Sequence, residues 1–599
     1  MRGVKMAYTS RDQIPEQYRW DMSVLFPSIE EAQSELGKID KQLKKFKKYQ
    51  GRLLENQDTL REALKLYESI SRRLHILGIY THQSYDLDTR ASDYQALYGQ
   101  IQSLMARFGE ATSWMTPEIL ASDTKQVKAM LKGDLKIYRQ YFDDILRAKK
   151  HTLSDKEEAL LAKLSESFQT PTNVFSLLNN ADFEFPTIQD EDGNDLKLTH
   201  GNFIPTLQSK DRKVRQRAFK EYYSVFQDHS NTLAGLLSAE VKNNVTYARA
   251  KNFKSARAAA LFENNIPESV YDALIEAVNA ALPAMYKYQA IRKRKLRVKE
   301  LHMYDVYVPL VKNVEMEIPY EEGKDMVLQA LSVLGEDYTS VVKKAYDERW
   351  IDVYETPGKR SGAYSSGSFD TVPYMLLNHQ DNLNDTFTLA HEMGHSMHSY
   401  YSAQSQPWIY SGYGIFLAEI ASTFNEALLN NHLLNTITDK KQRLFIINHY
   451  LEGFKGTLFR QTMFAEFERD IHQVVEQGGS LTSETLNDMY GKLVAKYFGP
   501  DVIVDDEIKF EWSRIPHFYY NFYVFQYATG LSAATTFAKR VINQEDGALE
   551  KYKGFLKAGR SQYPMDVLKQ AGLDMTDPAP IIEALETFSK LVDEFDELI

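Results

Sequence analysis

Residues 26–46 read FPSIEEAQSELGKIDKQLKKF, and their spacing is that of a single amphipathic helix. Ser28, followed three residues later by Glu31, is a start signal, because the first N–H groups of a helix need side-chain acceptors. Leu36, Ile39, Leu43 and Phe46 then recur every three or four residues and line one stripe. The same period runs through REALKLYESISRRLHILGIYTHQ (61–83) and DYQALYGQIQSLMARFGE (93–110). The first third of the chain therefore reads as a bundle of long helices, and the fold class expected is mostly α.

The period breaks at FEFPTIQDEDGNDLKLTH (183–200). Residues 183–188 and 196–199 are expected as short strands, joined by a polar turn around Asp192-Gly193. A boundary near residue 200 divides an N-terminal helical lobe, 1–200, from a larger domain, 201–599. Helical spacing resumes in DRKVRQRAFKEYYSVFQDHSNTLAGLLSAEVKNNV (211–245), and a second strand-like zone covers 350–380.

With 599 residues, 43% hydrophobic and 26% charged, the chain has the composition of a soluble globular protein with a large core. Its net charge of -11 disfavours nucleic acid as a main partner, since phosphate binding needs a basic face. Two basic runs, KKFKKYQGR (44–52) and IRKRKLRVK (291–299), read as solvated helix faces. There is no cysteine, so a bound metal must be held by His, Asp or Glu. The first twenty residues carry no apolar h-region, and no apolar run reaches the length of a membrane span. A cytoplasmic protein without membrane partners is expected; the oligomeric state is not legible.

One stretch carries chemistry: DTFTLAHEMGHSMHSYY (385–401). On a helix, residues i and i+4 share a face, so His391 and His395 can present their imidazoles to one ion. Glu392, about 100° round the helix, can address a water on that ion as a general base. Asn384 or Asp385 is expected as the N-cap, and Leu389, Met393 and Met397 as the buried stripe. Gly394 faces away from the histidines. A third ligand is needed. Tyr401 stands where a metzincin would place a histidine, and His398 reads as a core residue or as support for a ligand. Glu419, in GIFLAEIASTFNEALLNNHLL (414–434), sits among apolar neighbours where an unpartnered carboxylate is costly. It is the expected third ligand. Glu426, seven residues on, is either an exposed helix carboxylate or the group that orients a histidine.

Taken together, LAHEMGHSMHSYYS, FLAEIASTFNEALL, GKRSGAYSSG, IPHFYYNFYVFQYATG and YRWDMSVLFPS span nearly the whole chain. With them the sequence resembles the oligoendopeptidase F branch of the thimet-oligopeptidase-like zinc metallopeptidases. The resemblance implies a two-lobed helical body enclosing a deep channel, a small sheet beside the active-site helices, one catalytic Zn2+, and endopeptidase action on short peptides. It assigns His391, His395 and Glu419 as zinc ligands and Glu392 as the general base.

Two further stretches suggest how a peptide is held. In GKRSGAYSSG (358–367) the glycines at 358, 362 and 367 allow close backbone approach, and 374–377 are strand formers. An extended peptide can pair along such an edge by main-chain hydrogen bonds, so Gly362, Ala363 and Tyr364 are candidate substrate contacts; an ordinary surface loop and strand is the alternative. In PHFYYNFYVFQYATG (516–530), Pro516 suits the first turn of a helix. On that helix Tyr520, Tyr523 and Tyr527 fall within about 60° of one another, with His517 about 60° beyond. His517, Tyr523 and Tyr527 are candidate donors to an oxyanion, and Tyr520 a candidate substrate contact. The alternative for each phenol is a place in an aromatic core stripe. A dipeptidyl carboxypeptidase or carboxypeptidase of the same helical type is the nearest rival, and a non-catalytic binding protein the more distant one.

Overall fold

The computed structural model describes residues 8–311, 314 and 316–599. Part of the N-terminal stretch inspected for a secretory segment, residues 1–7, lies outside the described residues. Helices dominate. In chain order they include α1 (Ile29–Leu43), α2 (Gln57–Leu87), α3 (Ser92–Thr112), α4 (Arg212–Asp228), α5 (Leu383–Ser405), α6 (Ile415–Thr436), α7 (Arg460–Glu476), α8 (Phe525–Ile542) and α9 (Ala548–Ala558). The strands are short: β1 (Thr187–Gln189), β2 (Asp195–Lys197), β3 (Leu301–His302), β4 (Ile351–Asp352), β5 (Tyr364–Ser366), β6 (Tyr374–Leu376) and β7 (Val502–Ile503). Among the described residues no helix is long and apolar enough to cross a membrane.

The opening helix forms as its spacing predicts. Ser28 Oγ accepts from the Glu31 N–H, and Ile39 and Leu43 are buried. Phe46, just past the end of α1, completes the stripe in a 3-10 turn. These side chains join Leu74, Leu77 and Tyr80 of α2 and Leu97, Ile101 and Leu104 of α3 in one apolar cluster.

By packing, the described residues divide into two compact units, each built from three separate segments. Met1–Lys150, Glu315–His432 and Phe537–Gly572 make the first; His151–Val314, Leu433–Thr536 and Leu573–Ile599 make the second. Residue 200 lies within the opening segment of the second unit.

The first unit holds a three-stranded sheet in the order β4-β6-β5. β4 runs parallel and β5 antiparallel to β6, with Ser365 opposite Met375. The Met375 N–H is spent on Trp350 O at 2.7 Å. Ser365–Met375 is therefore the non-hydrogen-bonded pair of the hairpin, and Ser365 turns its N–H and C=O to the free edge of β5. The base of the sheet is pinned by the fully buried Asp352, which meets Arg11 at 2.6 Å, Lys359 at 2.8 Å and the Trp20 N–H at 3.0 Å. That ion pair fixes the start of the 358–367 segment.

The second unit carries the hairpin β1–β2, paired antiparallel with Ile188 opposite Leu196 and Gly193 in the left-handed region. The strands are shorter than expected. Phe183 and Phe185 are taken up by ring packing on α4, 5.3 Å from Phe226 and 4.7 Å from Tyr222, instead of joining a ladder. The basic run 291–299 is largely spent within this unit: Arg292 pairs with Glu452, Lys293 with Asp501 and Arg294 with Asp596.

Candidate metal centre

α5 starts two residues earlier than the sequence suggests. Its N-cap is Asn382, whose side chain accepts from the Asp385 N–H at 3.0 Å. Asp385 in turn accepts from the Gln380 N–H at 2.6 Å, so the expected cap works from inside the first turn. Leu389, Met393 and Met397 are buried, which seats α5 against β5, β6 and α9 and leaves His391 and His395 on the opposite, half-exposed side.

Gly394 is where α5 meets α6. A Cβ there would lie 2.6 Å from Ser422 Cα and closer still to Ala421 O, so the two helix backbones are in contact. The Asn425 amide also donates to Ala390 O at 3.1 Å. This close crossing brings Glu419 over the histidines. Its Oε2 is 3.4 Å from His391 Nε2 and 3.6 Å from His395 Nε2. One ligand atom from each of the three residues lies within 4.8 Å of the others. Two imidazoles and a carboxylate at that spacing fit a divalent cation of the zinc type.

The surroundings prepare each donor. Glu426 Oε1 is 2.5 Å from His391 Nδ1; this partner keeps the proton on Nδ1, so Nε2 is the nitrogen that would give up its proton to bind a metal. Burial pushes His391 down, but the hydrogen bond and charge of Glu426, with Glu392 and Glu419, carry it up to about 9. Burial pushes His395 down too, and with the charge of His391 it ends at about 4. The Ser422 hydroxyl donates to Glu419 Oε2 at 3.0 Å.

Glu392 is 7% exposed, and its Oε2 has no hydrogen-bond partner among the described residues. Burial pushes its carboxyl up to about 7, against the pull of the His391 charge and of the Ser365 N–H. Ser365 also bridges to α5 through its hydroxyl, 2.8 Å from that of Ser396. Sequence reasoning named its neighbours Gly362, Ala363 and Tyr364 and not Ser365, the residue that touches Glu392 and Ser396. Gly362 takes a left-handed φ of 83° at the start of the strand, whereas Tyr364 points inward and donates to Asp86 at 2.9 Å. No local sequence signal selects Ser365, because its facing follows from Trp350 engaging the Met375 N–H.

His398 takes no part in the triad. It is fully buried, its ring stacks on Tyr413 at 3.7 Å, and burial drives it down to about 3, so it is a neutral core ring.

His517, Tyr520, Tyr523 and Tyr527 belong to the second unit. The single helix expected over 516–530 does not form. Pro516–Tyr519 is a 3-10 turn, Asn521 and Phe522 take left-handed φ of 46° and 58°, and α8 begins only at Phe525. The break has a cause outside the stretch: Glu468 of α7 accepts from the Phe522 N–H at 2.6 Å in a buried site. The side chains gather nonetheless. The His517 ring lies 5.5, 6.3 and 5.8 Å from Tyr520, Tyr523 and Tyr527, and Tyr527 Oη is 3.3 Å from His517 Nε2. Phe518, Phe522 and Phe525 are buried, and Tyr520 is 53% exposed.

Glu468 links this turn to pH. Burial raises its carboxyl to about 8, opposed by the Phe522 N–H. The native chain then holds a proton that the unfolded chain has lost, so this group makes stability fall as pH rises from the ordinary carboxyl range through about 8. Glu468→Gln keeps the acceptor and removes the titration. Its melting temperature is expected to gain on wild type by on the order of a few degrees between pH 5 and pH 9. Parallel curves from scanning calorimetry would sink this account.

Comparison with known proteins identifies the family. The model of peptidase family M3 matches residues 206–587, and that of oligopeptidase F matches residues 118–185. The chain is 47% identical to oligopeptidase PepF of Bacillus subtilis over all of its length and 91% of that protein. It is 42% identical to the group B oligopeptidase PepB of Streptococcus agalactiae, covering 98% of both. Among solved structures, oligoendopeptidase-F of Enterococcus faecium aligns with a TM-score of 0.74 at 42% identity, over 94% of this chain and 98% of that one. A Chlamydophila abortus structure described as that of a peptidase aligns with a TM-score of 0.92 at 36% identity, over 99% of this chain and 100% of the other.

Proposed function

Because the chain belongs to peptidase family M3, in its oligopeptidase F branch, and is a metalloendopeptidase, we propose that it hydrolyses internal bonds of short peptides with a single zinc ion held by His391, His395 and Glu419. The observation that carries this reading is the convergence of those three donor atoms within 4.8 Å beside the unpartnered oxygen of Glu392. Zinc in such a site lowers the pKa of a water and polarises a peptide carbonyl.

The chain's own residues do the rest. Glu426 holds His391 in the tautomer that presents Nε2, and Ser422 steadies Glu419. Glu392 takes the proton of the attacking water and delivers it to the leaving amine. The free edge of β5, through the Ser365 C=O and the backbone of the preceding Ala363, aligns the peptide backbone by hydrogen bonds that ignore its side chains. Gly362 and Tyr364 shape that edge, and Tyr520 adds a contact. His517, Tyr523 and Tyr527 supply donors to the oxyanion. All of these residues fall within 201–599, which we take as the catalytic portion, with 1–200 as an N-terminal helical portion of which Met1–Lys150 packs in the same unit as the metal triad. The same reading places the protein in the cytoplasm, acting on peptides.

A peptide blocked at both ends tests the mode of attack. It is expected to be cut at the same internal bond as its free form, by a chain that elemental analysis finds loaded with zinc. Cleavage confined to the free-acid form, near its C-terminus, would instead establish the carboxypeptidase alternative.

A further inference from the structure

Beyond the metal triad, the first unit holds a cavity of about 780 Å³. Its wall is continuous with the candidate site. Ser399, Tyr400, Ala403 and Gln404 line it from the C-terminal half of α5, and Gly367 to Pro373 line it from the closed end of the β5–β6 hairpin. Tyr413 joins the two regions: its hydroxyl lies 2.8 Å from Ser399 Oγ and 3.4 Å from His395 O, and its side chain faces the cavity. By helical geometry Ser399 and Ala403 follow Glu392 and Ser396 along one face of α5. A peptide laid on the edge of β5 past the histidines therefore runs into this cavity. One turn separates His395 from Ser399, about 6 Å, and Gln404 lies about 13 Å on; at about 3.3 Å per extended residue, the cavity faces residues two to four from the scissile bond.

The charge of the cavity is one-sided. Lys344 and Arg560 both line it. Among the described residues the Arg560 guanidinium has no ion pair or hydrogen bond, and Lys344 has only a loose pair with Glu348 at 3.8 Å. The one carboxylate in the lining, Asp370, is already bound by Arg72 at 2.9 Å. Trp350, Phe369 and Trp408 add aromatic walls.

We propose that this cavity is a specificity subsite of the peptide path, binding a substrate carboxylate through Arg560 and Lys344. The assignment rests on the peptidase reading given above. The carboxylate has two sources, and the direction of pairing separates them. β5 runs toward the cavity, so a peptide antiparallel to it sends its N-terminal side there, and the group bound is an Asp or Glu side chain. A parallel peptide sends its C-terminal side, and the group bound is then a side chain or the terminal carboxylate.

The test uses the zinc-loaded full chain and a quenched fluorescent peptide carrying Glu, Gln or Lys at each position two to four residues from the cleaved bond, on either side, with a free or amidated C-terminus. Wild type is expected to favour Glu over Gln by about tenfold in kcat/KM at one such position. A tenfold preference for the free acid over the amide, in place of a Glu preference, would identify the terminal carboxylate as the group bound. Arg560→Glu, an exposed change, is expected to reverse the order so that Lys exceeds Glu. Equal rates for all peptides with wild type, or a Glu or free-acid preference that survives Arg560→Glu, overturns the subsite. Wild-type cleavage of the Gln peptide reports separately on the peptidase reading; if that peptide is not cut at all, the reading falls and the subsite with it.

Discussion

Glu392→Gln is expected to keep its zinc and lose turnover by about 10²–10⁴-fold, the range that positioned general bases contribute. The carboxylate is buried, one of its oxygens has no partner, and the other side of the group faces the Ser365 N–H. An amide of the same shape fills the space and still accepts from that N–H, but it cannot take a proton from water. The variant therefore separates chemistry from binding: elemental analysis should return wild-type zinc, and KM should change little beside kcat. Stability supplies a second readout. Burial raises the Glu392 carboxyl, so in the metal-free protein the native state is penalised as pH climbs from the ordinary carboxyl range through about 7. Apo Glu392→Gln is expected to melt no lower than apo wild type at pH 8. Turnover within tenfold of wild type at full zinc occupancy would remove Glu392 from the base role.

Gly394→Ala is expected to damage the metal centre without touching a ligand. The added methyl meets Ser422 Cα at 2.6 Å and Ala421 O more closely, and both are backbone atoms that cannot swing aside. The helices must separate or tilt, and Glu419, two residues from Ala421, moves with α6. Overpacking of this kind costs about 1–3 kcal/mol or more. An ångström of displacement also spoils a donor set that has to close on one ion, so zinc affinity is expected to drop at least about tenfold, the scale seen when metal-site geometry is disturbed. Competition with a chromophoric chelator reads the affinity, and a denaturant titration reads the stability. An alanine variant that matches wild type in both would show that the crossing has slack.

Much of this was readable before any coordinates. Local signals sufficed where a single element decides: Ser28 caps α1, the i,i+4 histidines share a face of α5, and the apolar residues flanking Glu419 in the sequence pointed to a partner for it. Glu426 was left open between an exposed carboxylate and a partner of a histidine, and it stands 2.5 Å from His391 Nδ1. The failures share another cause, which is contact across long sequence separation. No periodicity reveals that Glu468 captures the Phe522 N–H, so a helical-wheel argument placed His517 and the tyrosines correctly together for the wrong reason. The orientation of Ser365 depends on Met375 being engaged by Trp350, a sheet-order fact invisible in GAYSSG. Phe183 and Phe185 look like strand residues until the rings of α4 claim them.

The discontinuity of the first unit also has a consequence for how the chain is made. α5 and α6 leave the ribosome well before α9, yet α5 packs on α9, and Arg560 just beyond it hydrogen-bonds back to Tyr410 O at 2.9 Å. During synthesis the metal-binding helices must wait, with apolar faces uncovered, while the segment Leu433–Thr536 of the other unit is translated. At about 5–20 residues per second, that interval lasts several seconds. The residues of the metal triad are therefore all translated before the α9 face that α5 packs against exists.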